Sequence, residues 1–222
     1  MKNTICIPIQ AKSQKQAKIE LKKAAKVADM AEIWLDHIRD LDIPDLLKNK
    51  PLPVICVCKK ANEKGKFKGT SKQLIEVLFE AAKHGADYID MPFANSELRT
   101  PNSELRTKLI ISYHNFTKTP STSVLLKKAL EMHKKGADIV KISVMAKSLS
   151  DAIRIIALAK QLQSQKIPHI LIAMGKKGIL SRILTPTLGG TIMFAPLTKA
   201  KSSAPGQLSV NELKEAWSLL KT

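Results

Sequence analysis

Lys141 interrupts the run GADIVKISVM (Gly136 to Met145), which otherwise has the β-branched, apolar character of a buried strand. A lysine ammonium is almost never buried without a partner or a task. Period-2 alternation puts Val140, Ile142 and Val144 on one face and Ile139, Lys141 and Ser143 on the other. In the preceding strand candidate, KLIISYH, the same alternation sets Leu109, Ile111 and Tyr113 against Ile110, Ser112 and His114. With the Val140 face packed on outer helices, Lys141 and His114 both face inward, late in neighbouring strands. Neighbouring strands lie about 4.8 Å apart, so the two side chains are expected within reach of each other. The chemistry implied is that of an amine beside an imidazole. Burial disfavours an ammonium, a neutral amine adds to a ketone or aldehyde to form a Schiff base, and a histidine moves protons near neutral pH. The blander reading of the same pattern is a snorkelling lysine paired to a carboxylate, with a hydrogen-bonded core histidine. Alternation alone does not decide between them.

These residues need a scaffold, and the chain offers one. Short runs rich in Ile and Val alternate with amphipathic helical stretches along its whole length. The strand candidates are TICIPI, AEIWLDHI, PVICVC, ADYIDM, KLIISYH, ADIVKISV, IPHILIAM and GGTIMF. Helical stretches such as SQKQAKIELKKAAKVA, TSKQLIEVLFEAAKHG, STSVLLKKALEMHKKG and SLSDAIRIIALAKQLQSQ follow most of them. The alternation predicts an α/β fold, the (β/α)8 TIM barrel, whose active sites lie at the C-terminal ends of the strands. The tetrapeptides HGAD and KGAD read as helix C-caps feeding the next strand. No linker or break in composition appears, so one domain over residues 1–222 is expected. The exception is NSELRTPNSELRT (Asn95 to Thr107), a tandem duplication where the fourth barrel helix belongs. Pro101 in its middle is expected to break any helix there.

Composition narrows the function classes. Of 222 residues, 44% are hydrophobic, yet no apolar run approaches a membrane span. The start, MKNTICIPIQ, lacks the length and cleavage site of a signal peptide, so a soluble cytoplasmic protein with no membrane partner is expected. Cys6, Cys56 and Cys58 are odd in number and form no CxxC, which argues against a disulfide framework or a zinc site. The VICVC spacing suits Cys56 and Cys58 as small buried hydrophobes. A formal charge of +18 invites a nucleic-acid reading. Against it, only Arg39, Arg99, Arg106, Arg154 and Arg182 among 37 basic residues are arginines, and aromatics are 4%. The lysines are spread along helices rather than interleaved with stacking residues. A lysine-rich solvated surface is the better reading, with no nucleic-acid partner, and it would still draw in an anionic substrate.

The segments IISYHNF, GADIVKISVM, IAMGKKGILSRI and SSAPGQ occur in that order, after CKKANEKG and GADYIDM. Together they resemble the motifs of the type I 3-dehydroquinate dehydratases. The resemblance covers nearly the whole chain and is densest from Ile111 to Gln207. It implies a (β/α)8 barrel, usually a homodimer, that needs no metal or cofactor. Such an enzyme dehydrates 3-dehydroquinate to 3-dehydroshikimate in the shikimate pathway of aromatic amino acid biosynthesis. By this resemblance Lys141 forms the imine with the substrate ketone, and His114 is the general acid and base. Glu63 resembles the family's acidic partner of that histidine. Arg182 would hold the substrate carboxylate, and Ser203 and Gln207 belong to the loop that closes over the substrate.

The chain also departs from the pattern. The family's second strand carries a Glu-Leu-Arg or Glu-Trp-Arg motif facing the substrate. The segment that aligns with it here is AEIWLDHI, which puts Leu35 in the glutamate's place and His37 in the arginine's. A shift of register would present Glu32 or Asp36 instead, but alternation puts Asp36 on the wrong face. Lys59 stands for a usual arginine, keeping the charge and losing the fork. Asn115 replaces a usual aspartate and Pro92 a usual glutamate. The covalent machinery is thus kept, while the polyol-binding shell is altered. Two alternatives follow: an imine-forming barrel lyase of altered specificity or reduced activity, and, on charge alone, a non-catalytic nucleic-acid-binding protein.

Overall fold

The computed structural model describes residues 4–98 and 106–220. Eight strands form one sheet in the order β7-β6-β5-β4-β3-β2-β1-β8. They are β1 (Thr4–Ile9), β2 (Met30–Trp34), β3 (Val54–Val57), β4 (Tyr88–Pro92), β5 (Lys108–Asn115), β6 (Ile139–Met145), β7 (His169–Met174) and β8 (Ile192–Phe194). Pairing is parallel between β2 and β3, β3 and β4, β6 and β7, and β1 and β8. A parallel bridge from His169 to Gly190 and a bond from Thr191 N–H to the His169 carbonyl (2.9 Å) join the start of β7 to the approach to β8. Sequential parallel strands, helix-connected and returning to their start, are the (β/α)8 barrel. The chain packs as two compact units, residues 7–111 and residues 1–6 with 112–222.

In the unit of residues 7–111, α1 (Gln14–Ala24), α2 (Ile43–Leu47) and α3 (Ser71–Lys83) follow β1, β2 and β3. All of β3 is buried, as expected of a strand covered on both faces. Helix α3 starts with a reciprocal capping box between Thr70 and Gln73 and buries Leu74, Leu78 and Ala81 at helical spacing. It ends as HGAD predicts: Gly85 at φ 90° sends its N–H to the Ala82 carbonyl, and the Ala86 N–H reaches the Ala81 carbonyl. The second strand does not run as expected. It stops at Trp34, and Leu35–His37 form a turn of 3-10 helix. Of the duplicated segment, residues 99–105, with Pro101, lie outside the described residues; its first copy enters the 3-10 helix Phe93–Leu98.

In the other unit, α4 (Thr122–Lys134), α5 (Leu149–Ser164), α6 (Ile179–Leu184) and α7 (Val210–Ser218) back strands β5 to β8. Here the side-chain alternation can be checked directly. Lys128 on α4 places its Nζ 4.5 Å from the centre of the Tyr113 ring, so Tyr113 faces the helix layer and His114, the next residue, faces away from it. Val140, Ile142 and Val144 of β6 have no exposure, as expected for the helix-facing set. All three cysteines are free and buried, and burial pushes the Cys56 and Cys58 thiols up to about 12. They serve as small core side chains, inert at neutral pH.

Candidate active site

The register of β2, β3 and β4 builds a row of inward side chains. Trp34 pairs with Val57, which pairs with Asp90, so these three share a face. Glu32 lies two residues before Trp34 on that face. Asp90 is fully buried, and Lys59, 2% exposed, places its Nζ 2.8 Å from Asp90 Oδ1. Glu63 approaches the same ammonium, with Oε2 at 3.8 Å. One buried cation therefore stands between two carboxylates, which offsets its desolvation. Glu32 is also buried and accepts a hydrogen bond from the Trp34 indole N–H at 2.9 Å.

The second unit holds the amine. Lys141 pairs with Ile170 as the third of the seven residues of β6, with four pairs beyond it, so it sits nearer the start of the strand than expected. It is 6% exposed, and its Nζ stands 4.5 Å from the centre of the Phe194 ring on β8. His114, half-buried near the end of β5, stacks on Phe116 with centroids 5.8 Å apart. Asn115 Oδ1 accepts from the N–H groups of Thr117 and Lys118, both at 3.0 Å, and from the Thr117 hydroxyl. An aspartate oxygen would do the same work, so this departure from the pattern is sterically and chemically mild.

Arg182 on α6 is 1% exposed, and its Nε and one terminal nitrogen have no hydrogen-bond partner. Its other terminal nitrogen donates weakly to the Pro205 carbonyl at 3.4 Å. Burial alone pulls its pKa down to about 10. The segment SSAPGQ folds back toward this point: the Pro205 carbonyl also accepts from Gly175 N–H at the end of β7. Within the segment, Gln207 Nε2 donates to Ser203 Oγ (3.1 Å), and Gln207 Oε1 accepts from the Ser203 N–H (3.0 Å). Ser203, Gln207 and Arg182 thus belong to one cluster around the end of β7.

Two sequence expectations need correction. Leu35 and His37, set by the resemblance in the glutamate and arginine places of the second strand, lie beyond that strand, which ends at Trp34. Leu35 is core. The His37 ring packs edge-on to Trp34 at 5.4 Å, with Nε2 3.5 Å from Asp36 Oδ2. Burial lowers its pKa against the pull of Asp36, which keeps it neutral at pH 7. The inward face of β2 presents Glu32 and Trp34 and no arginine. Glu32 enters the sequence reading only as a register alternative and Asp90 not at all, although each is a charged residue inside an apolar strand, the same signal that singles out Lys141. Among the described residues, no group of His, Cys, Asp or Glu is placed to hold a metal ion.

The family model for type I 3-dehydroquinase matches residues 5–222. A 3-dehydroquinate dehydratase of Methanococcus vannielii is 37% identical over 221 residues, covering 97% of this chain and 99% of that protein. One of Methanocaldococcus jannaschii is 34% identical, covering 97% and 98%. The crystal structure of 3-dehydroquinate dehydratase from Geobacillus kaustophilus superposes with a TM-score of 0.88 at 25% identity, over 99% of this chain and 91% of that one. On sequence, motif order and fold alike, the chain belongs to the type I 3-dehydroquinase family.

Proposed function

We propose that this protein dehydrates 3-dehydroquinate to 3-dehydroshikimate through an imine on Lys141. The observation that carries the reading is Lys141 itself, a lysine buried on β6 against an aromatic face in a chain of this family. Its amine adds to the substrate ketone, and loss of water leaves a protonated imine. That imine draws electrons and acidifies the neighbouring carbon. His114 takes the proton, giving an enamine. The enamine electrons return to expel the hydroxyl, which leaves as water with the proton His114 gives back. Water then hydrolyses the product imine and frees Lys141. The net change is loss of one water from the substrate.

The remaining residues take binding and orienting roles. Arg182 is suited to a carboxylate: a buried guanidinium with two unpartnered nitrogens gains most from a two-oxygen anion. Ser203 and Gln207 would close over the substrate and exclude water. Lys59 and Glu63 supply polar contacts, with Glu63 tuning the histidine. A single catalytic domain, acting as a cytoplasmic homodimer without metal or cofactor, belongs to the same reading. Among the described residues, no helix is long and apolar enough to cross a membrane. A second reading, an imine-forming lyase for a related cyclic keto acid, is favoured by one observation: the inward face of β2 carries Glu32 and the Trp34 indole and no arginine.

The test mixes the protein with 3-dehydroquinate and follows the ultraviolet absorbance of the conjugated enone. Saturable enone formation supports the dehydratase. Competition by related cyclic keto acids that turn over faster than 3-dehydroquinate would support the second reading and overturn the first.

A further inference from the structure

The side chain of Asp36 is fully buried, although the sequence pattern puts it on the wrong face of a strand. The 3-10 turn Leu35–His37 redirects it. Its two oxygens are each taken by a backbone N–H of the loop after β3. Oδ1 accepts from Lys59 at 3.1 Å and Oδ2 from Lys66 at 2.7 Å. Those donors are the two arms of one tight loop. Phe67 N–H returns to the Lys59 carbonyl (3.0 Å), and Gly65 N–H and Glu63 N–H both reach the Lys60 carbonyl (2.9 Å). Lys64 adopts φ 68°, and a Cβ at Gly65 would stand 1.9 Å from the Lys59 carbonyl oxygen. At that separation only glycine fits.

We infer that Asp36 is a positioning residue: its carboxylate clamps both arms of the 59–67 loop and so holds Lys59 and Glu63 in their working geometry. Lys59 faces Asp90 from the base of the loop, and Glu63 faces Lys59 from its tip. Charge-assisted bonds from a carboxylate to two N–H groups are the strong kind, and here they span the loop rather than stay within it. Its chain neighbours Leu35 and Ile38 are buried as well, and His37 Nε2 stands 3.5 Å from Oδ2. The inference rests on the roles proposed above for Lys59 and Glu63.

The test is a cycle of D36N, E63Q and the double variant. An asparagine keeps the shape but can accept only one of the two bonds, and its amide group faces the other N–H. D36N is expected to lower turnover about 10-fold or more. Borohydride trapping should still label Lys141 to full stoichiometry, because the amine and the fold remain. The loss in the double variant should fall well short of the product of the single losses, because both changes act through one loop. A second variant, K66P, removes the N–H that Oδ2 accepts and leaves the acid in place; the same pattern in weaker form is expected. If D36N and K66P turn over normally while E63Q is impaired, the inference is overturned and the proposed function stands. If turnover and trapping fall in equal proportion in both, Asp36 merely stabilises the fold and the inference is overturned as well. If E63Q itself is silent, the role of Glu63 fails first and takes the inference with it.

Discussion

Two buried cations are treated in opposite ways. Lys59, in the unit of residues 7–111, has Asp90 at 2.8 Å and Glu63 at 3.8 Å. Arg182, in the unit that carries Lys141, has one weak bond to a carbonyl and two unpartnered nitrogens. The first cation is neutralised by the protein, so its charge holds the site together. The second is buried at a cost that the protein does not offset, and an anion from outside is the group that would offset it. Under the proposed function, the contrast separates a residue that builds the site from one that waits for the substrate.

The comparison breaks most visibly in stability. Replacing Lys59 by methionine leaves Asp90 buried without its ammonium, and a loss of about 3–5 kcal/mol is expected from urea denaturation. Replacing Arg182 by methionine should cost the fold nothing and is expected to raise stability slightly, while KM for 3-dehydroquinate rises about 100-fold. A strongly destabilised R182M, or a stable K59M, would reverse the assignment of the two cations.

A smaller effect is expected on β2. W34F removes the indole N–H that Glu32 accepts and keeps most of the apolar surface. About a 10-fold loss in kcat/KM is expected, the cost of taking one donor from a buried acid. If W34F is silent in turnover, Glu32 is held by its other contacts and the indole is only packing.

The smallest effect lies away from chemistry. His169 is fully buried at the start of β7, with Nδ1 2.9 Å from the Ile167 carbonyl and no partner for Nε2. Burial lowers its pKa below the ordinary 6.5, against the pull of that carbonyl. A folded state that refuses a proton the unfolded chain accepts is fully stable above pH 6.5 and loses stability as pH falls below it. Between pH 7.5 and 5.5 the native protein should lose up to about 1 kcal/mol more than H169Q in urea denaturation. An equal pH dependence in both would remove His169 from the account.

The eight strands were legible because their Ile and Val runs differ sharply from the amphipathic helices between them. Lys141 and His114 were legible because β5 and β6 are long regular strands, on which alternation holds to the end; the contacts Lys128–Tyr113 and Lys141–Phe194 agree with it. The second strand failed for the matching reason. Its strand geometry ends at Trp34, and the tripeptide Leu35–His37 carries no glycine or proline to mark the change. What makes it turn is tertiary: Asp36 is held by Lys59 and Lys66, far along the chain. Glu32 and Asp90 both carry the mark of a charge in an apolar run. Sequence spacing could not show that one meets an indole and the other an ammonium.

The most direct measurement is borohydride reduction of the protein in the presence of 3-dehydroquinate, with peptide mass spectrometry to locate the adduct. The account predicts one substrate-derived mass addition, on the peptide bearing Lys141, absent in K141M, whose turnover is also lost. An adduct on any other lysine, or turnover that survives K141M, would contradict it.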